Sequence, residues 1–324
     1  MDAGWTVEGH GELTWWPSPL PMKIRVIGTG EFRNSGGFWL RVEGTTLIAL
    51  VEESVGRQLA NEYKTDYPVG ALVYRDGGLH LTTICCFNAF NRSLLPWFHE
   101  ALLIQAGVAL DLVGEWMSID GLTVASPPHP LSGERSDVDE LVTIYGGEEF
   151  RGEFNNSALE RFNIIRPMLR EHFVEGGFRP GFSSDDVDFF NLGFESDDPS
   201  GPLELGAFDF AIGLTQGTSK ETKFGPGLII LARLLPPGVT FDDDQVTFAN
   251  EALCDLPETG VFGYVSGPEL TQGSGLWAMV PHFTLSEWSN HSPEAFRDSI
   301  VNAVWHVTAA AQVLRSDVLG IHWP

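Results

Sequence analysis

Apolar residues recur at the spacing of an amphipathic helix in three long stretches of the chain. This pattern predicts helices over residues 93–116, 157–173 and 292–314. Ser93 and Ser292 stand where an N-cap side chain accepts hydrogen bonds from the first turn, and Pro293 suits the first helical position. Pro167 falls inside the middle stretch, where it predicts a kink or a later start of the helix.

Shorter apolar runs bounded by turn residues predict strands and two further helices. The strands are expected at residues 23–27, 38–42, 45–51, 71–75, 79–87, 188–194, 203–214, 227–234, 261–265 and 276–284. We interpret Glu43-Gly44 as a hairpin-like break and Asp76-Gly77-Gly78 as a tight hairpin turn. The two short helices are expected over residues 52–63 and from the acidic N-cap Asp242-Asp243-Asp244 to Leu253.

The same order of elements occurs in both halves: strands, a short helix, a strand pair and a long helix. Ala60-Asn61-Glu62 and Ala249-Asn250-Glu251 take the same place in the two short helices. The expected fold class is therefore α+β, with two similar units that each carry a mainly antiparallel sheet and a long C-terminal helix on one face. The units would span residues 1–125 and 137–324, joined by a proline-rich linker at 126–136. Two unrelated α+β halves are the alternative.

These units resemble the YbjN-like domain and the CesT-type chaperones of type III secretion. The resemblance is carried by Phe248-Ala249-Asn250, the strands at 261–265 and 276–281 and the helix from Ser292, and by Leu59-Ala60-Asn61 with the elements after it. The first unit departs from the pattern, because a Trp- and Pro-rich segment at 1–21 replaces its N-terminal helix. The resemblance implies an acidic, cytosolic, dimeric protein that binds extended segments, with the dimer mimicked inside one chain.

Charge and composition narrow the classes of partner. The chain has 19 Lys and Arg against 44 Asp and Glu, a net charge of −25. This negative field repels nucleic acid and anionic lipid, so we expect neither as a partner. It favours a basic or amphipathic protein or peptide as partner. The alternative is that the charge serves only to keep the protein soluble. No signal peptide or membrane span is evident, and the three cysteines suit a reduced, cytoplasmic protein. A monomer with pseudo-dimeric halves and a homodimer both remain open.

No motif in the sequence predicts an enzyme. Gly28-Thr29-Gly30 lacks the third glycine of a phosphate loop, and the carboxylate clusters at 185–188 and 195–198 lack calcium-loop spacing. No zinc-ligand spacing occurs either. We therefore expect no cofactor, no metal and no catalytic residue, although His99 or His306 could act as a base if the fold pairs either with a nucleophile.

Aromatic residues supply the candidates for partner binding. Trp15, Trp16 and Trp288 lie outside periodic elements, and exposed tryptophans often mark binding surfaces. Phe208 and Phe210 lie in a predicted strand that is apolar on both sides. The alternative is that the N-terminal segment and the helix at 157–173 cover these side chains. The leading hypothesis is a non-enzymatic, chaperone-like adaptor. The alternatives are an acidic neutraliser of a basic toxin and an enzyme assembled from distant residues.

Overall fold

The computed structural model describes residues 1–31, 38–63, 70–88, 94–146, 156–186, 189–196, 210–216, 226–234, 241–255, 263–266, 275–281, 292–318 and 320. They form two antiparallel sheets and six α-helices, which confirms the expected α+β fold class.

The first sheet has the strand order β1-β2-β3-β4-β6-β5, with β7 paired to the end of β4. Its strands are β1 (Thr6–Gly9), β2 (Glu12–Trp15), β3 (Met22–Glu31), β4 (Phe38–Leu50), β5 (Ala71–Arg75), β6 (Gly78–Asn88) and β7 (Thr123–Val124). Asp76 and Gly77 both have positive φ between β5 and β6, which confirms the predicted tight hairpin.

The predicted break at Glu43-Gly44 is wrong, because β4 runs through both residues as one strand. Gly44 serves helix packing instead of a turn. A Cβ atom at Gly44 would overlap the end of the Leu102 side chain, so a larger residue there would require Leu102 to move away from the sheet.

Two helices of the first half pack on its sheet. The short helix α1 (Glu53–Glu62) contacts β5 and β6, and the long helix α2 (Leu95–Trp116) contacts β4 and β6. Gln105 of α2 is fully buried against the sheet, where its Nε2 donates to the carbonyl oxygens of Gly44 and Leu81 at 3.2 and 2.9 Å. The predicted N-cap Ser93 lies outside the described residues.

The second sheet has the strand order β8-β9-β10-β11-β13-β12. Its strands are β8 (Phe178–Asp186), β9 (Phe189–Ser196), β10 (Phe210–Gln216), β11 (Pro226–Arg233), β12 (Gly263–Ser266) and β13 (Gly275–Pro281). The sequence did not predict β8, which contains Pro180 beside a register shift. The outermost strand of the described sheet tolerates both features, because among the described strands it pairs with β9 alone.

The remaining helices are α3 (Glu140–Gly146), α4 (Asn156–Glu175), α5 (Asp243–Asp255) and α6 (Pro293–Val313). Helix α4 continues through Pro167 and starts before it. Ser292 caps α6, as predicted, by accepting a hydrogen bond from the Ala295 N–H. The acidic start of α5 is a capping box in which Asp242 and Gln245 exchange side-chain to main-chain hydrogen bonds. The unpredicted helix α3 packs against α2.

The two sheets have the same strand order when their strands are numbered along the chain within each half. In each sheet the fourth strand lies between the third and sixth, and the fifth lies at the end. The halves meet at those ends: β5 contacts β12, and α1 contacts α5. Strands β1 and β8 consequently lie at the opposite, outer ends of the two sheets.

One hydrophobic core contains residues from both halves. It joins Trp97 and Phe98 of α2 to Phe162 and Phe173 of α4 and to Ile300 of α6. A second cluster lies within the first half, around Trp116. The range 126–136, expected to be a linker, therefore does not divide the buried core into two.

Candidate functional site

Two of the predicted partner-binding residues, Trp15 and Trp16, are buried. Trp15 lies on β2 with no exposed surface and belongs to the shared core beside Met22, its cross-strand neighbour. Trp16 is 7% exposed but belongs to neither hydrophobic cluster. The expected exposure of both side chains is therefore absent. The N-terminal segment packs onto the first half, with both side chains buried.

The other predicted aromatic residues do not form a described surface. Phe210 is buried on β10, where its ring centre lies 5.0 Å from that of Phe173 and 5.3 Å from that of Phe178. It is therefore a core residue. Phe208 and Trp288 lie outside the described residues.

Strand β1 is the outer edge of the first sheet, and it pairs only with β2 among the described strands. Residues Gly9 and Glu12 flank a two-residue turn, and the Trp16 N–H donates to the Trp5 carbonyl oxygen at 2.9 Å. Antiparallel pairs alternate between bonded and non-bonded, so the main-chain groups of Thr6 and Glu8 point away from β2. Glu8 is exposed. The edge thus offers donors and acceptors to an added strand.

Residues 126–139, which we call the proline segment, lie against the N-terminal residues. The Trp16 Nε1–H donates to the Pro127 carbonyl oxygen at 3.0 Å. The Arg135 guanidinium lies 4.9 Å from the ring centre of Trp5 and donates to the Trp16 carbonyl oxygen. Three further bonds reach main-chain carbonyls, from Ser126 Oγ to Pro19 (3.1 Å), Ser132 Oγ to Gly4 (3.1 Å) and Asp139 N to Pro17 (2.7 Å).

His129 organises the tip of the proline segment. Its ring lies edge-on to Trp5 and Trp16, with centre distances of 5.5 and 4.7 Å. Its Nδ1 accepts hydrogen bonds from the main-chain N–H groups of Leu131 and Ser132, which places the ring hydrogen on Nε2. The turn that results holds Leu131 at the surface, 90% exposed. The segment expected to be a linker is therefore an ordered, bound element.

A charged cluster lies on the face of the first sheet opposite α2. Glu43, 1% exposed, accepts hydrogen bonds from Arg25 Nε at 2.7 Å and from an Arg75 guanidinium N–H at 2.9 Å. Arg75 also donates to Thr45 Oγ1, which is hydrogen-bonded to Thr82 Oγ1. Both carboxylate oxygens are engaged, and the cluster joins β3, β4 and β5.

The environment of Glu43 keeps it ionised. Burial alone would raise the pKa of this carboxyl group. The charge of Arg75 and the hydrogen bonds from Arg25 and Arg75 outweigh burial and hold the pKa below its ordinary value of 4.5. A carboxylate bound on both oxygens is a poor proton donor or acceptor near neutral pH, so its role is structural.

Three partly or fully buried histidine and cysteine side chains among the described residues are likewise in unreactive surroundings. Burial lowers the pKa of His306 to about 4, and burial together with the charge of Arg75 lowers that of His80 to about 4. Both imidazoles are therefore neutral and weakly basic at pH 7. Burial raises the pKa of the Cys85 thiol well above its ordinary value, which suppresses the thiolate. His99, the other base considered from the sequence, is exposed on α2.

Comparison of the chain with family models, curated proteins and solved structures found no match. The resemblance to YbjN-like and CesT-type domains thus has no support from a matched relative. Within the part of the chain that the structure describes, no group of three potential metal ligands comes together. Among the same residues, no helix is both long and apolar enough to cross a membrane.

Sequence reasoning missed the residues that hold the proline segment, namely Trp5, His129 and Arg135. The sequence contains a signal for this contact, since it has prolines at 127, 128 and 130 and tryptophans at 5, 15 and 16. Proline carbonyls and the indole N–H form a recurrent recognition pair. Each stretch was interpreted separately, so their contact was not predicted.

Proposed function

We propose that the chain is a non-enzymatic binding protein that holds an extended segment of a partner protein along β1, as a chaperone-like adaptor. The observation that carries this proposal is the outward direction of the main-chain groups of Thr6 and Glu8 at the end of the first sheet. Addition of a strand to an open sheet edge is a common mode of peptide recognition. Strand β8 occupies the equivalent end of the second sheet.

The length of β1 limits what the main chain contributes. Two outward residues offer four hydrogen bonds, each worth about 0.5–1.5 kcal/mol net, before the entropy of association is subtracted. Side-chain contacts must supply the rest of the affinity. This division suits an adaptor, in which the edge orients a segment and neighbouring side chains select it.

The matched halves support a tandem arrangement that acts as a dimer within one chain. Arg57 of α1 pairs with Glu251 of α5 at 2.6 Å, and the Thr247 hydroxyl donates to Asn61 Oδ1. These contacts make the helices antiparallel and are centred on the matching dipeptides Leu59-Ala60 and Phe248-Ala249. An isologous dimer interface has this symmetry. The identical strand orders agree with duplication of one unit.

The test compares two variants at Glu8 on an array of random 12-residue peptides. Proline at position 8 removes the outward N–H, while glutamine keeps it and removes only the charge. We expect peptides bound by the wild-type chain to bind Glu8→Pro about tenfold more weakly, because loss of one main-chain bond costs about 1.4 kcal/mol. Their affinity for Glu8→Gln should change by less than about threefold.

Melting temperatures of both variants serve as the control for folding, since Glu8 is exposed. Equal binding to the wild-type chain and a folded Glu8→Pro variant would show that peptides bind elsewhere. An array without any bound peptide would contradict the proposal as a whole.

A second candidate, a neutraliser of a basic protein, is favoured by the charge at the C-terminal end of α2. Asp111, Glu115 and Asp120 are exposed there, and the last turn of α2 carries no basic residue. Acidic side chains at the negative end of a helix dipole are better stabilised by a cationic partner. In either role, the three buried cysteines, which are in the thiol form, suit the reducing cytoplasm.

A further inference from the structure

We infer that the surface formed by Trp5, Trp16 and the main chain of residues 16–19 is a binding site for a segment in which prolines precede an arginine across a tight turn. In this structure the proline segment fills that site in cis. A partner protein's segment with the same chemistry would take its place. The inference does not depend on the edge of β1.

The contacts divide into those that recognise a proline stretch and those that recognise an arginine. The indole N–H of Trp16 donates to the carbonyl oxygen of Pro127 at 3.0 Å, as aromatic grooves do in binding proline-rich peptides. The guanidinium of Arg135 lies over the Trp5 ring at 4.9 Å, 6% exposed as a residue, and donates to the Trp16 carbonyl oxygen. Cation–π contact and a main-chain acceptor together select arginine.

The proline segment can leave without opening either hydrophobic core. Both clusters lack residues 126–139, as far as the structure describes them. The segment is exposed on its outer side, at Pro128, Pro130 and Leu131. Trp16 lies in neither cluster, and its ring and indole N–H face His129 and Pro127. Departure of the segment would therefore expose Trp16, while Trp15 stays in the core.

Occupation in cis has a quantitative consequence for a competing ligand. A short tether gives the attached segment an effective concentration on the order of millimolar. A free peptide of equal intrinsic affinity must exceed that concentration to compete. The wild-type chain should therefore bind such a peptide weakly, and a chain without its own segment should bind it well.

The experiment uses a fluorescein-labelled synthetic peptide with the sequence of residues 124–139, titrated in fluorescence anisotropy. The receptor is the full chain with residues 127–135 replaced by glycine and serine at equal length. We expect saturable binding at least about tenfold tighter than to the wild-type chain. A peptide carrying Arg135→Ala should bind about tenfold more weakly, since a cation–π contact and a charge-assisted hydrogen bond are lost. The receptor variant Trp16→Phe should weaken binding similarly.

Absence of saturable binding to the replaced chain, with its circular dichroism retained, would overturn the inference. If the replaced chain does not fold, hydrogen exchange of the wild-type chain decides. The amide of Asp139, which donates to the Pro17 carbonyl oxygen, should then exchange by local opening, faster than amides of β4. Exchange of this amide only on global unfolding would also overturn the inference. Adding Glu8→Pro to the replaced chain separates the two proposals, because the peptide should still bind.

Discussion

Replacement of Trp15 by alanine is expected to lower the free energy of unfolding by about 3–5 kcal/mol. Trp15 has no exposed surface and packs in the core that both halves share. Removal of the indole leaves a cavity in this core, which rigid neighbours refill only in part. Chemical denaturation of the purified chain, followed by circular dichroism, measures the loss.

Trp16→Ala is the matched control, one residue away on the same segment. We expect it to cost about 1–3 kcal/mol, because it removes one hydrogen bond and an edge contact with His129 outside both cores. A Trp15→Ala variant that is as stable as the wild-type chain would show that the N-terminal hairpin does not pack as described. The difference between the two stability losses distinguishes Trp15, a core residue, from Trp16, which a partner could reach once the proline segment leaves.

Replacement of Glu43 by glutamine is expected to cost about 2–3 kcal/mol at pH 7. The amide loses the charge that faces two guanidinium groups and presents one acceptor oxygen where the carboxylate presents two. Arg25 and Arg75 have side chains 45% and 25% exposed, so water partly restores their solvation and keeps the cost below that of a fully buried pair. Urea denaturation at fixed pH gives the difference.

The difference in free energy of unfolding between the wild-type chain and Glu43→Gln should depend on pH. The pKa of Glu43 is lower in the folded chain than its ordinary value of 4.5, so folding favours the ionised form. Its stabilising contribution is complete above about pH 5.5 and is lost as the pH falls through the folded pKa. The stability difference between wild type and Glu43→Gln should be constant from pH 6 to 8 and shrink below about pH 4.5. A difference that is independent of pH would contradict the charged network.

Helical periodicity was sufficient to find α2, α4 and α6, and the acidic N-cap residues located α5. The turn residues Asp76-Gly77 likewise located a hairpin from chemistry that is local to four residues. Both signals lie within a short window of the sequence. They require no knowledge of what packs against the element.

The local sequence does not reveal roles that are set by contacts with distant elements. Gly44 has the sequence character of a turn, yet it is explained by Leu102, which approaches it from another element. Trp15 and Trp16 looked alike in sequence, but β2 alternation sends one into the core and the other toward the proline segment. The partner-binding role of any residue stays a prediction, because charge and aromatic content do not determine a surface.

The core shared by α2, α4 and α6 makes the two halves thermodynamically inseparable. Separation of the halves would expose the apolar side chains that each contributes to this core, so we expect heat to unfold the core as one cooperative unit. A peptide-bond cleavage at the exposed tip near Leu131 would then yield two fragments that remain associated, each completing the other's interior. Expressed separately, the halves would be complementing fragments whose folding depends on their concentration.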